Sequence, residues 1–284
     1  MARLIIITVI FGLLSCTAAE VPPVNKPVVT VTMQLSAALL PFIAISHNEQ
    51  GQIDWRLNLL SAVQIEQQLA QGTLQTNAVE LDILSLLRLK RGGSNIRALW
   101  ALYSNYGLVI NNLAANNELA IEQNEISSVL ADLWAGSSDY LLRNVHNDAV
   151  RANLLREGRV RAVVVGEPYL SRLANEGFVL ARSGFNDNLL LNTLVFLGDG
   201  DDELFTKMLS DYRTGMLLYL DNPEFYNSLL YQLSGQQLIL PTFDERFFYD
   251  VGLFLQLAYL INLRQPFLTI PSYIDLFWLP NSED

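Results

Sequence analysis

Apolar positions along the chain fall into short β-branched runs separated by stretches of helical spacing. Val28 to Met33 alternates valine and threonine and predicts a strand. Gln34 to Ala37 then reads as a loop, and Leu39 to His47 as a helix with Pro41 in its first turn. Ile53 to Leu59 puts Ile53, Trp55, Leu57 and Leu59 on one side, as a half-buried strand requires. Ser61 is a good N-cap for a helix over 62–71, which Gly72 ends. Leu74 to Ala78 predicts a short third strand, followed by a helix over 80–90 that Gly92 and Gly93 stop. This βαβαβ order is the mark of a doubly wound α/β unit.

Residues 95–112 read as two strands interrupted by Tyr103-Ser104-Asn105-Tyr106-Gly107. The polar break suits either a hinge or a plain β-turn. Beyond it come a strand over Glu118–Glu122, a helix opened by Ser127 and Ser128 and running to Trp134, a strand over Leu141–Val145 and a helix over 147–157. Residues 151–173 carry the most information. Val150 and Leu154 share a helical face, and Gly158 is a C′ stop. Val163-Val164-Val165 suits a strand covered on both faces. Glu167 sits just past that strand, and Pro168 fits the first position of the next helix. Ligands of open α/β sheets bind at the carboxyl ends of the strands, which places Glu167 and Tyr169 where a ligand would be met. Glu167 has three readings: a ligand contact, a helix-terminal cap or a catalytic base.

The run LLREGRVRAVVVGEPYLSRL resembles the L-x-x-G-x-x-D-A-x-x-x-x-E-P-Y segment of the solute-binding proteins of ABC importers, in the branch that handles nitrate, sulfonates, taurine and thiamine-pyrimidine precursors. Arg161 stands where that family often has Asp, ahead of the strand and away from the cleft. The resemblance covers nearly all of 28–280, but only Glu167-Pro168-Tyr169 and the 96–112 crossing are specific. It implies a two-lobe periplasmic-binding-protein (type 2) fold, each lobe a mainly parallel sheet flanked by helices. Lobe 1 would begin over 28–104, lobe 2 would span 105–190, and 191–284 would return to lobe 1 with a helical C-terminal region packed on it. Within this frame Gly184 to Thr193 is the return crossing, Leu194 to Leu197 re-enters the first sheet, and helices follow over 202–220, 223–233, 243–262 and 271–279. The aromatics scattered through those helices, Tyr219, Phe225, Tyr226, Phe247, Phe248, Phe254, Phe267, Tyr273, Phe277 and Trp278, read as core.

The ligand-binding residues expected on this basis are strand-end positions. They are Ser36 and Ala37 after the first strand, Asn77 and Val79 near the third, and Tyr103, Ser104 and Asn105 at the crossing. On lobe 2 they are Ser127, Ser128, Glu167 and Tyr169, with Asn186 and Asn188 at the return. The expectation includes a gap across which Glu167 looks at the Tyr103–Asn105 bend. In the family, the helix start near 127 offers backbone N–H groups to the ligand. This chain has Gln123-Asn124-Glu125-Ile126-Ser127-Ser128, without glycine and with an acid that would repel an anion.

Composition narrows the partners. The chain has 284 residues, 51% of them hydrophobic, enough for two lobes with cores. Its net charge of −11 and the lack of any Lys/Arg stripe speak against nucleic acid. Residues 1–15 read as a secretory signal: Arg3, then an apolar run to Leu14, then Ser15. Leu13-Leu14-Ser15-Cys16 resembles a bacterial lipobox, which would lipidate Cys16; the plainer reading is an ordinary signal with an incidental cysteine. Residues 16–27, with three prolines, read as a tether. Cys16 is the only cysteine, and the histidines are His47 and His146, so no zinc or iron site and no cofactor are expected. His47 fits a helix C-terminus, where a cation is favoured. No nucleophile elbow, P-loop or dinucleotide motif is visible. The relatives that use cysteine for iron binding or desulfination have no counterpart here.

The reading is therefore an exported, non-enzymatic solute-binding protein, lipid-anchored to the cell membrane on its periplasmic or extracellular face. It would be a monomer that hands a small molecule to an ABC permease and its ATPase. A site with Glu167, Glu125 and no Lys or Arg leans towards a neutral or cationic heteroaromatic, vitamin-like or pyrimidine-like solute. The alternatives are a cysteine-free enzyme on the same scaffold, such as a dehydratase of quinone biosynthesis, a sulfonate- or nitrate-type anion binder, and a surface lipoprotein that binds a partner protein.

Overall fold

The computed structural model describes residues 26–135, 140–238 and 277–278. The signal, Cys16 and almost all of the tether lie outside them, as does the helix expected over 243–262. Two five-stranded sheets organise the chain. The first contains β1 (Val28–Met33), β2 (Asp54–Leu59), β3 (Ala78–Asp82), β4 (Ile96–Leu102) and β10 (Asn192–Leu197) in the order β2-β1-β3-β10-β4. β1 runs parallel to β2 and β3, whereas β10 is antiparallel to β3 and β4. The second contains β5 (Tyr106–Ile110), β6 (Glu118–Ile121), β7 (Leu141–Asn144), β8 (Ala162–Gly166) and β9 (Val179–Ser183) in the order β7-β6-β8-β5-β9. β6 is parallel to β7 and β8, and β5 is antiparallel to β8 and β9. The chain changes sheet between Leu102 and Tyr106 and returns between Ser183 and Asn192. Helices α1 (Leu40–Ser46), α2 (Ala62–Gln71), α3 (Ile83–Arg91), α7 (Asp202–Asp221) and α8 (Pro223–Ser234) accompany the first sheet, and α4 (Ile126–Ala135), α5 (Asp148–Arg156) and α6 (Tyr169–Asn175) the second. This is the two-lobe α/β architecture of the type 2 binding-protein fold.

Local chemistry explains most boundaries. Ser61 Oγ accepts from Gln64 N at 3.3 Å while Gln64 Oε1 accepts from Ser61 N at 2.9 Å, a complete capping box opening α2. Gly72 ends that helix in the left-handed conformation, φ 65°. Val163, Val164 and Val165 are fully buried in the middle of the second sheet, as a strand covered on both faces should be. His47 caps the C-terminus of α1 and stacks on Phe225 at 5.3 Å. In the first lobe, α1 and α7 pack through Phe42, which meets Trp55 at 5.0 Å and Tyr212 at 4.9 Å. Buried Asp211 joins them to the sheet: its carboxylate accepts from Gln52 N, Ile53 N and Trp55 Nε1 at 2.8–3.0 Å, so its charge is well solvated by protein donors.

Three expectations change. The third strand is Ala78–Asp82, not 74–78, and the helix after it begins at Ile83 rather than 80. Glu80 reads as helical in the sequence, but its buried carboxyl sits in the strand because Gln34 N and Asn192 Nδ2 donate to it at 3.1 and 2.6 Å. Strand β9 has no counterpart in the sequence reading; Val179, Ala181 and Arg182 are exposed and Ser183 is buried, so no alternation of apolar and polar residues marks it. Of the stretch expected as a helix over 271–279 only Phe277 and Trp278 are described. They lie against β4, Phe277 bridging Ala98 and Trp278 N donating to Ala98 O at 2.8 Å.

Candidate functional site

A cavity of about 600 Å³ opens where the two sheets face each other with their carboxyl ends. Gln34 and Leu35 reach it from the end of β1, Leu59 to Val63 from β2 and Asp82 from β3. Opposite them stand Glu122 and Ser127 after β6, His146 to Asp148 after β7, and Glu167 to Tyr169 after β8. Tyr106, the first residue of β5, also lines it, where Gly166 lies against its ring. Strand ends of both lobes thus meet in one cleft, the place where open α/β sheets bind ligands.

The lining is acidic. Glu66, Asp82, Glu122, Glu125, Asp148 and Glu167 all contribute carboxyls. Arg151 is the one Lys or Arg among the lining residues, and it is 2% exposed. Its guanidinium is held by Asp148, by Glu122 at 3.5 Å and by Val145 O at 2.5 Å. Burial pulls the Arg151 pKa down, while Tyr106 and Glu122 oppose that. Burial in turn pushes the Tyr106 phenol up, with Asp82 adding to the effect. His146 Nδ1 sits 3.2 Å from Glu122 at the exposed rim. Across the cleft mouth, Arg88 of α3 donates to Glu125 Oε2 at 3.0 Å and to Asn124 O at 2.7 Å, tying the two lobes together.

Two carboxyls are tuned furthest. Glu167 is 6% exposed, and burial raises it to about 7 even though Ser171 Oγ and N donate to it at 2.5 and 3.1 Å. Burial likewise raises Glu80 to about 7 against the donors named above. A folded-state value above the ordinary 4.5 means that the folded protein holds these protons more tightly than the unfolded chain. Their contribution to stability is therefore greatest below about pH 4.5 and is lost as pH rises to about 7. The Glu167→Gln variant should melt above the wild type at pH 8 and together with it at pH 5, because glutamine keeps both Ser171 contacts without burying a charge. Melting curves at the two pH values check this; a gap that widens on acidification contradicts it.

The structure sorts the expected site residues. Ser127, Glu167 and Tyr169 line the cavity. Ser36 and Ala37 are buried at the start of the 3-10 turn before α1, and the lining positions of that loop are Gln34 and Leu35 instead. Asn77 lies at the amino end of β3, where its Oδ1 accepts from Thr30 N at 2.8 Å, and Val79 is wholly buried inside the strand. Both are off the cleft because the strand begins later than expected. Ser128 turns back to donate to Glu125 O at 2.7 Å. Asn186 and Asn188 belong to the turn of the return segment, where Ser183 Oγ and Phe185 O accept from their backbone N–H groups.

Tyr103, Ser104 and Asn105 are buried in the crossing, Tyr103 against Phe185 at 5.4 Å. The expected gap between this bend and Glu167 does not exist: Glu167 N donates to Asn105 O at 3.1 Å. The open space lies one layer further out, between the Glu167–Tyr169 corner and the lobe 1 loops. Asn105 still bears on the cleft, since its Nδ2 donates to Gln34 Oε1 at 3.3 Å. The sequence reading missed Glu66, Asp82, Tyr106, Glu122, His146, Asp148 and Arg151. Asp82 and Glu122 are legible in the sequence as carboxylates at or just past strand ends.

No protein-family profile matches the sequence, and no curated protein matches it significantly. Solved structures do. An ABC transporter protein from Parabacteroides distasonis superposes with a TM-score of 0.70 at 14% identity, over 91% of this chain and 100% of its own. The periplasmic aliphatic sulphonate binding protein SsuA from Escherichia coli gives 0.64 at 12% identity, over 92% and 94%. The zinc-bound ligand-binding component of an ABC-type import system from Staphylococcus aureus gives 0.61 at 13% identity, over 89% and 97%. The chain therefore has the fold of the solute-binding components of ABC importers, with sulfonate- and nitrate-binding proteins among its structural neighbours. Among the described residues no three His, Cys, Asp or Glu side chains are grouped to hold a metal ion, and no helix is long and apolar enough to cross a membrane.

Proposed function

We propose that this protein captures a small solute between its two lobes and delivers it to an ABC permease and its ATPase, without acting on it chemically. The observation that carries this is the cleft itself. It is bounded by strand ends of both sheets, and the chain crosses between those sheets twice. Two lobes joined by crossings can close on a bound molecule, so that binding shifts an open–closed equilibrium. The acidic lining disfavours an anion of the sulfonate or nitrate type, because Arg151, the one Lys or Arg side chain lining the cleft, is already held by Asp148 and Glu122. Tyr106 and Tyr169 offer rings for a planar, heteroaromatic solute. The protein works outside the cytoplasm, exported by residues 1–15 and anchored through lipidated Cys16, as a monomer.

A thermal-shift screen tests the reading, with vitamins and nucleobases in one set and sulfonates and nitrate in the other. The account expects a stabilisation of several degrees by a member of the first set, since a ligand at 100 times its Kd adds about 2.7 kcal/mol. Stabilisation by taurine or nitrate alone rejects the solute class. Retention of an expressed Cys16→Ala variant on membranes rejects the anchor.

A further inference from the structure

We infer that the solute carries a cationic group, an ammonium or amidinium, seated between Glu66 and Asp82 of the first lobe and facing Glu125 of the second. This rests on the solute-capture reading above and names the chemistry of the same cleft.

Glu66 and Asp82 converge on a single hydroxyl at the cleft wall. Ser85 Oγ lies 2.9 Å from Asp82 Oδ2 and 3.2 Å from Glu66 Oε1, yet a hydroxyl has a single hydrogen to donate. One of the two carboxylate oxygens is therefore left without it. Asp82 spends its other oxygen on Leu84 N and Ser85 N, at 2.8 and 3.0 Å, where it caps α3. Among the described residues neither Glu66 nor Asp82 has an ion-pair partner within 4.0 Å.

The nearest cation is already engaged. Arg88 gives its guanidinium to Glu125 Oε2 and Asn124 O, and only weakly offsets the charge at Glu66. Burial raises the pKa of both Glu66 and Glu125, with Asp82 adding to the rise at each and Glu125 adding to it at Glu66. Three crowded carboxyls facing a cavity supply acceptors, lack donors and repel anions. An ammonium or amidinium has several N–H donors and none of the repulsion. Closing the lobes would bring Glu125 towards the same group, so the charge of the solute would itself favour the closed state.

The test uses the secreted chain with Glu66→Gln and Asp82→Asn variants. Glutamine keeps an acceptor for Ser85, and asparagine remains a good helix cap, so both variants fold. Thermal shift and calorimetry would compare choline, benzamidine and spermidine with taurine, sulfate and uracil at matched ionic strength. The expected result is stabilisation by a cationic probe, with affinity falling at least tenfold in each variant. A cation that binds wild type and both variants alike overturns the seat. Stabilisation by taurine, sulfate or uracil and by none of the cations overturns the charge class but leaves solute capture standing. Silence from all six probes, with no member of the wider vitamin and sulfonate sets binding either, overturns capture itself.

Discussion

Replacing Arg151 with alanine should lower the melting temperature by roughly 10 °C. Removing one partner of a buried ionic cluster costs about 3–5 kcal/mol, and in a chain of this size each kcal/mol shifts the melting point by about 2–4 °C. The loss is at the lower end here, because Asp148 and Glu122 keep 23% and 26% of their side-chain exposure. Two carboxylates lose their cation, Val145 O loses a donor, and a side chain that is 2% exposed leaves a void. Calorimetric melting of wild type and variant measures the deficit. A change below about 2 °C contradicts the account.

The second large effect is expected at Gly184. The crossings are bound together there: Gly184 N donates to Tyr106 O at 2.9 Å, and Ser104 N donates to Leu189 O at 2.8 Å. A Cβ at position 184 would stand 2.5 Å from Ser104 Cβ and 2.6 Å from Ser104 O, too close for any side chain. Because a backbone atom is among the neighbours, relief requires the two crossing segments to separate. Overpacking of this kind costs about 1–3 kcal/mol. At this site it should also misalign the lobes, so Gly184→Ala should weaken solute binding beyond its loss of stability. An alanine variant that melts and binds like the wild type would show that the crossings do not set the geometry of the cleft.

The fold was legible where local chemistry decides it. The Ser61–Gln64 capping box, the Gly72 stop and the triple-valine strand all depend on neighbours within a few residues, whereas Pro168 stands at the N-cap, one position before the helix it is expected to open. The third strand was misplaced because its defining feature is long-range. Glu80 is tolerated inside a sheet only through Gln34 and Asn192, 46 and 112 residues away in sequence. That slip carried Asn77 and Val79 into the expected site and left Asp82 out of it. The chain changes sheet between Leu102 and Tyr106, a break that reads in the sequence as a wall of the cleft. It is a buried joint, with Asn105 accepting from Glu167 N directly. Glu167 and Tyr169, which line the cavity, are suggested by the strand-end rule, and Ser127 by the family resemblance. Arg151 is suggested by neither, since nothing in a helical i,i+3 pair announces that its arginine is buried beneath the cavity.

Small-angle scattering of the protein with and without a saturating stabilising solute tests the central claim most directly. If the two lobes close on their ligand, the radius of gyration falls on addition, and it falls less in the Gly184→Ala variant. A solute that binds tightly in the cleft while the scattering curve stays unchanged would contradict closure as the mechanism.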